Sequence, residues 1–95
     1  MRKYEVMYVI RTDIEQEQVQ ATVEKFQNII TNGNGEITKH DLMGKRRLAY
    51  EINKFRDGHY VLVHFNAEPA VVTELDRVLK ITDEIIRHLI VKDVA

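Results

Sequence analysis

Apolar positions along this chain switch between two spacings, and the switches mark its elements. In residues 3–10, Tyr4, Val6, Tyr8 and Ile10 fall on one face of a strand and Glu5, Met7 and Val9 on the other. Both faces are apolar after Glu5, as expected of a central strand covered by helices on one side and in part on the other. Asp13 then reads as a helix N-cap, with Gln16 three residues on and Glu15 and Glu17 in a first turn whose dipole favours anions. Val19, Val23, Phe26 and Ile30 form an amphipathic stripe that Asn32-Gly33-Asn34-Gly35 ends with a left-handed cap and turn. The spacing predicts a helix over 14–32.

Residues 36–52 read as one long extended segment, with Ile37, Lys39 and Asp41 on one face and Thr38, His40 and Leu42 on the other. Met43-Gly44 interrupts the alternation, as a bulge or bend would. Asn53–Gly58 reads as a hairpin loop closed by Asp57-Gly58. The chain returns as a strand over 59–66, with Val61, Val63 and Phe65 opposite Tyr60, Leu62 and His64. Pro69 suits a first helical turn, and Val71, Leu75, Val78 and Leu79 make a second stripe, predicting a helix over 69–81. A last strand, 84–92, is apolar on both faces with Arg87 and His88 inserted.

Strand, helix, strand, strand, helix, strand, joined by right-handed crossovers, is the ferredoxin-like α+β arrangement. It has a four-stranded antiparallel sheet with two helices on one face. The first and third strands are then central, and the second and fourth are edges. The open face would carry Met7, Val9, Leu62 and either Leu89 or Ile90, an apolar patch of the kind that marks interaction sites.

Length and composition narrow the picture. Ninety-five residues make one domain, 1–95, with little room for a separate active-site lobe. With no cysteine, disulfides and thiolate metal sites are excluded, and the chain is consistent with the cytosol. The opening has no apolar core of signal-peptide length, and no apolar run approaches the roughly 20 residues of a membrane span. No membrane partner is expected.

Catalytic chemistry finds little support. His40, His59, His64 and His88 are scattered, with no metal-ligand spacing on one element, so no metal is expected. There is no serine, the threonines lack a visible base partner, and no glycine-rich phosphate loop opens a helix. Neither a cofactor nor an enzymatic activity is expected.

Charge has a shape that the total conceals. The net charge is −1 and the pI about 6.4, so RNA would need a local patch. From Gly44 to Gly58 five cations (Lys45, Arg46, Arg47, Lys54, Arg56) face two anions (Glu51, Asp57). Arg2 and Lys3 begin the first strand, and Arg87 and Lys92 lie on the last. From Asp13 to Asn32 four anions face Lys25 alone. Such segregation suits a surface that meets phosphates, with Tyr4, Tyr50 and Phe55 near enough to stack on bases. The plain alternative is a solvated strand whose cations discourage edge-to-edge aggregation.

The stretch Gly44-Lys45-Arg46-Arg47-Leu48-Ala49-Tyr50-Glu51-Ile52-Asn53 resembles the signature of the bacterial small-subunit ribosomal protein six family. The opening Met1-Arg2-Lys3-Tyr4-Glu5-Val6 and the closing Ile81–Lys92 resemble that family's beginning and end. Glu51 stands where members often have proline, and the tail that some members carry after the last strand is absent from this sequence. The resemblance implies a ferredoxin-like, non-catalytic component of the 30S subunit. It implies binding to the central domain of small-subunit ribosomal RNA together with ribosomal protein eighteen, as a heterodimer. It carries RNA proximity onto Arg2, Lys3 and Tyr4, Arg46 and Arg47, and Arg87. Lys45, Lys54, Arg56 and Lys92 follow from charge alone. The edge around Ile37, Leu42 and Met43 would dock the partner protein.

Two other readings compete. A ferredoxin-like homodimer could bind a small molecule or act as a small enzyme, with the histidines and Tyr60 lining a pocket, though it has no need of Lys45-Arg46-Arg47 at a strand bend. A base-stacking RNA module would want aromatics on the open face, where Met7, Val9 and Leu62 are poor platforms.

Overall fold

The computed structural model describes residues 1–52 and 54–92. Asn53, the last residue of the signature and the first of the expected hairpin loop, lies outside the described residues. The chain forms β1 (Arg2–Ile10), α1 (Gln16–Asn32), β2 (Glu36–Ile52), β3 (Phe55–Ala67), α2 (Pro69–Ile81) and β4 (Ile85–Lys92). The strands pair antiparallel in the order β2-β3-β1-β4. The expected ferredoxin-like topology is therefore present, with β1 and β3 central.

The core lies between one sheet face and the two helices. Val6, Tyr8 and Ile10 of β1 and Val61, Val63 and Phe65 of β3 are buried there against Val19, Val23, Phe26 and Ile30 of α1. Leu75, Val78 and Leu79 of α2 complete it. Each large apolar side chain taken from water contributes about 1.5–3 kcal/mol. Tyr8 packs edge-on to Phe26 with ring centroids 5.1 Å apart. Its hydroxyl is buried with no hydrogen-bond partner among the described residues, and burial pushes its pKa up.

Local details depart from the sequence reading at four places. First, α1 starts at Gln16 with Glu15 as N-cap, not Asp13, and the Glu15 N–H donates to Gln18 Oε1 at 3.3 Å. Asp13 instead accepts two hydrogen bonds from Arg11, at 2.6 and 2.7 Å. An arginine two residues away outcompetes the helix end for that carboxylate. Second, at the far end of α1 Asn34 takes the left-handed conformation (φ 64°), while Gly33 does not (φ −88°). Gly33 serves close approach, since a Cβ there would meet Val71 Cγ2 on α2.

Third, the β2 alternation breaks twice between Ile37 and Gly44. Ile37 pairs with Phe65 but Lys39 with His64, and Leu42 pairs with Val61 but Gly44 with Tyr60. Each slip skips one residue, so Ile37 does not share a face with Lys39 and Asp41. The second slip falls at Met43-Gly44, where the interrupted pattern placed a bulge, with Gly44 at φ 85°. Fourth, the hairpin turn is not Asp57-Gly58. Ile52 pairs with Phe55, Arg47 with Asp57 and Arg46 with Gly58, so Asp57 and Gly58 belong to β3.

Candidate nucleic-acid interface

β1 ends at Ile10, opposite His59, while β2 and β3 run on together from Lys45 to Gly58. This extension is a two-stranded arm with no third strand beside it among the described residues. A ribbon of this kind is marginal by itself, so its direction depends on side chains at its root.

The contacts at the root are specific. Thr12, just after β1, donates its hydroxyl to Asp57 Oδ1 at 2.9 Å, and Lys45 Nζ lies 3.5 Å from Asp57 Oδ2. The Thr12 hydrogen bond, with Lys45 assisting, holds the Asp57 carboxyl below the usual aspartate range. The Arg11 guanidinium lies 5.1 Å from the centre of the Phe55 ring, a cation–π distance, while Asp13 fixes its plane. On the open face, a Cβ at Gly58 would collide with Val9. The arm thus covers Val9, which is only 1% exposed although its side chain points away from the helices. Farther out, Arg87 Nη1 donates to Tyr50 Oη at 3.5 Å.

Between the pairs Arg47↔Asp57 and Ile52↔Phe55, β2 holds the four residues Leu48, Ala49, Tyr50 and Glu51 against Arg56 alone on β3. The excess bulges the arm. Leu48 turns inward and is buried, and Tyr50 is left 63% exposed.

Electrostatics sort the five arm cations. Asp57 pairs with Lys45, and Glu51 with Arg56 at 3.8 Å. Both anions of the segment are therefore engaged. Arg46, Arg47 and Lys54 are exposed and have no carboxylate partner among the described residues. Lys54 sits at the tip with φ 71°. Arg87 joins this group from β4, where it pairs with Val9.

The remaining expected RNA-proximal residues lie elsewhere. Arg2 and Lys3 are exposed opposite Ala67 and Asn66, and Lys92 pairs with Tyr4. They form a second cationic end, about 25 Å from the arm root along β1 at roughly 3.3 Å per residue. Tyr4 is 8% exposed and stacks on Phe65 at 5.7 Å between centroids. Its ring belongs to the core, with one face taken by Phe65, which leaves little of it for the base stacking expected from the sequence.

The expected docking edge is uneven. Ile37 is half-buried against the core, Leu42 is 49% exposed, and Met43 is half-buried on the bulge. On the open face Met7 and Leu62 are half-buried, with Leu89 and Val91 exposed beside them. Of the two residues expected there from β4, Leu89 is the one that faces out, while Ile90 packs on the core.

Two of the four histidines have acidic neighbours. His88 Nε2 lies 2.8 Å from Asp76 Oδ1 and ties β4 to α2, and His64 Nδ1 lies 4.0 Å from Glu5. Lys80 and then His88 hold Asp76 below the usual range. Among the described residues no cluster of three acidic, histidine or cysteine side chains is placed to hold a metal ion. No described helix is long and apolar enough to cross a membrane.

Sequence reasoning missed Arg11, Thr12 and Asp57 as the root of the arm. The available signal was length: a strand expected over 36–52 has no neighbour in the sequence long enough to pair with it throughout.

The family model described as Ribosomal protein S6 matches residues 3–92. The small ribosomal subunit protein bS6 of Desulforamulus reducens is 55% identical over 93 residues, covering 98% of this chain and 98% of that protein. That of Moorella thermoacetica is 54% identical over 92 residues, covering 97% and 94%. The crystal structure of 30S ribosomal protein S6 from Thermotoga maritima superposes with a TM-score of 0.92 at 34% identity, covering 97% of this chain and 87% of that one.

Proposed function

The chain belongs to the ribosomal protein S6 family of the small ribosomal subunit, and from that premise we propose that it binds small-subunit ribosomal RNA through the arm, jointly with ribosomal protein eighteen. The observation that carries this reading is the charge accounting of the arm. Its two acids are held by Lys45 and Arg56, which leaves Arg46, Arg47 and Lys54 as cations without a carboxylate among the described residues. Phosphates would supply the missing anions. Arg87 and Tyr50 extend the same surface. Arg2, Lys3 and Lys92 offer a second phosphate-facing end to an RNA long enough to reach both.

The role is structural, with no chemical step. Cations on a rigid ribbon give affinity that falls with salt, and they fix the orientation of the RNA without reading its sequence. A chain of net charge −1 gains little from long-range attraction to RNA. A basic partner that completes the cationic surface therefore fits. The exposed Leu42, with the half-buried Met43 and Ile37 on the same edge strand, suits that docking. The site of action is the ribosome in the cytoplasm.

The test is a paired titration. Labelled central-domain ribosomal RNA is titrated with this chain, with ribosomal protein eighteen, and with both, at two salt concentrations. Tight binding only with both, weakened by salt and by Arg46→Ala/Arg47→Ala, is the expected result. Salt-resistant binding by this chain alone, or no effect of the partner, would sink the joint-binding reading.

A further inference from the structure

The residues that hold the arm at its root are distinct from the residues proposed to touch RNA. Asp57 on β3 receives a hydroxyl from the body of the protein, Thr12, and an ammonium from the other strand of the arm, Lys45. One carboxylate thus joins both strands of the ribbon to the loop after β1. Phe55 is met by Arg11 from the same loop, and Asp13 prevents that guanidinium from swinging away. The loop's own backbone is tied down by the Arg11 N–H, which donates to the Glu84 carbonyl at 2.9 Å. The root is therefore anchored to the turn that leads into β4.

A two-stranded ribbon that outruns its neighbours has no ladder beside it to set its angle. Without side-chain ties it would sample many directions, and RNA binding would have to order it at the cost of affinity. We infer that Thr12 is a positioning residue: its hydrogen bond to Asp57 sets the angle at which the arm leaves the sheet, so that Arg46, Arg47 and Lys54 meet phosphates already in place. This inference rests on the RNA-binding reading above. Thr12 itself need touch no nucleotide. Removing its hydroxyl should weaken binding without removing a phosphate contact, which separates this role from that of a cation.

The experiment uses the full chain with ribosomal protein eighteen and a transcript of the central domain of small-subunit ribosomal RNA as the probe. Wild type, Thr12→Val, Thr12→Ser and Arg46→Ala/Arg47→Ala are compared by amide hydrogen exchange without RNA and by titration at several salt concentrations. Loss of one such bond predicts that Thr12→Val speeds exchange of arm amides and raises Kd, each about five- to tenfold. Core amides such as Val6 and Val63 should not change, and neither should the dependence of log K on log salt. Thr12→Ser should restore both quantities. The inference is overturned if arm exchange is unmoved in Thr12→Val, if core and arm speed up alike, or if the arm loosens while Kd stays the same. Failure of the wild-type chain and its partner to bind the transcript would instead overturn the RNA-binding reading, and the positioning role with it.

Discussion

Tyr50 Oη and Arg87 Nη1 lie 3.5 Å apart, although β2 and β4 are the opposite edges of the sheet. Only an arm that leans across the open face can bring them together. The bond is long and solvent-exposed, so it reports where the arm lies more than it holds it there. Tyr50→Phe should change stability by less than about 0.5 kcal/mol, measured by thermal denaturation. A much larger loss would show that the bond itself holds the arm.

Gly58 is where the arm crosses Val9, and a Cβ there has no room. Gly58→Ala should destabilise by about 1–3 kcal/mol, as overpacking does. Val9→Ala opens the space. In a double-mutant cycle by urea denaturation, the combined variant should be more stable than the two single losses added together. Strict additivity would mean that the two residues do not touch.

Gly44 has open space around it but a φ of 85°. Gly44→Ala should cost about 1–2 kcal/mol through backbone strain alone, with no relief from trimming any neighbour. Equilibrium unfolding of Gly44→Ala beside Gly58→Ala/Val9→Ala separates the two mechanisms.

Tyr8 carries a buried hydroxyl without a partner among the described residues. Tyr8→Phe keeps the ring against Phe26 and removes the unpaired group. Stability should stay level or rise by about 1 kcal/mol. A loss of 2 kcal/mol or more by calorimetry would show that the hydroxyl is satisfied in solution.

Three carboxylates sit below their ordinary pKa: Asp13 chiefly through Arg11, Asp57 through Thr12, and Asp76 through Lys80 and then His88. A depressed folded-state value favours the folded form above the unfolded pKa, and that contribution is lost as pH falls through the folded value. Acid destabilisation should therefore run below about pH 4. Asp57→Asn should flatten part of that slope when the midpoint of urea unfolding is followed against pH. An unchanged slope would remove Asp57 from the account.

Both helix stripes, the strand order and the Met43-Gly44 bulge were legible in the sequence, because each rests on a local period or a single glycine. Contacts over long separations were not. Asp57-Gly58 carries a strong short-range turn signal, yet Gly58 is there to let Val9 pass and Asp57 to receive Thr12. Asp13 offered a good N-cap until Arg11 took its carboxylate. The cationic triplet was visible as composition. That Lys45 is spoken for, while Arg46 and Arg47 are not, depends on which acids the fold brings near. Tyr4 looked like a base-stacking residue because its neighbours are charged, but the strand turns its ring toward Phe65.

The central position of β1 also has a consequence for synthesis. The first strand of the sheet to be made needs two partners, and both arrive late: Val6 waits for Val63 and then for Ile90 on β4. Until then its apolar face and both of its edges are open to wrong pairing, the period in which long-range β-contacts are most prone to aggregate. The β2–β3 hairpin, by contrast, can close on itself as soon as it is made. The two strands of the arm are therefore made before the body that will carry them, and a nascent chain stalled before β4 would lack the Arg87 and Glu84 contacts that tie the arm and its root.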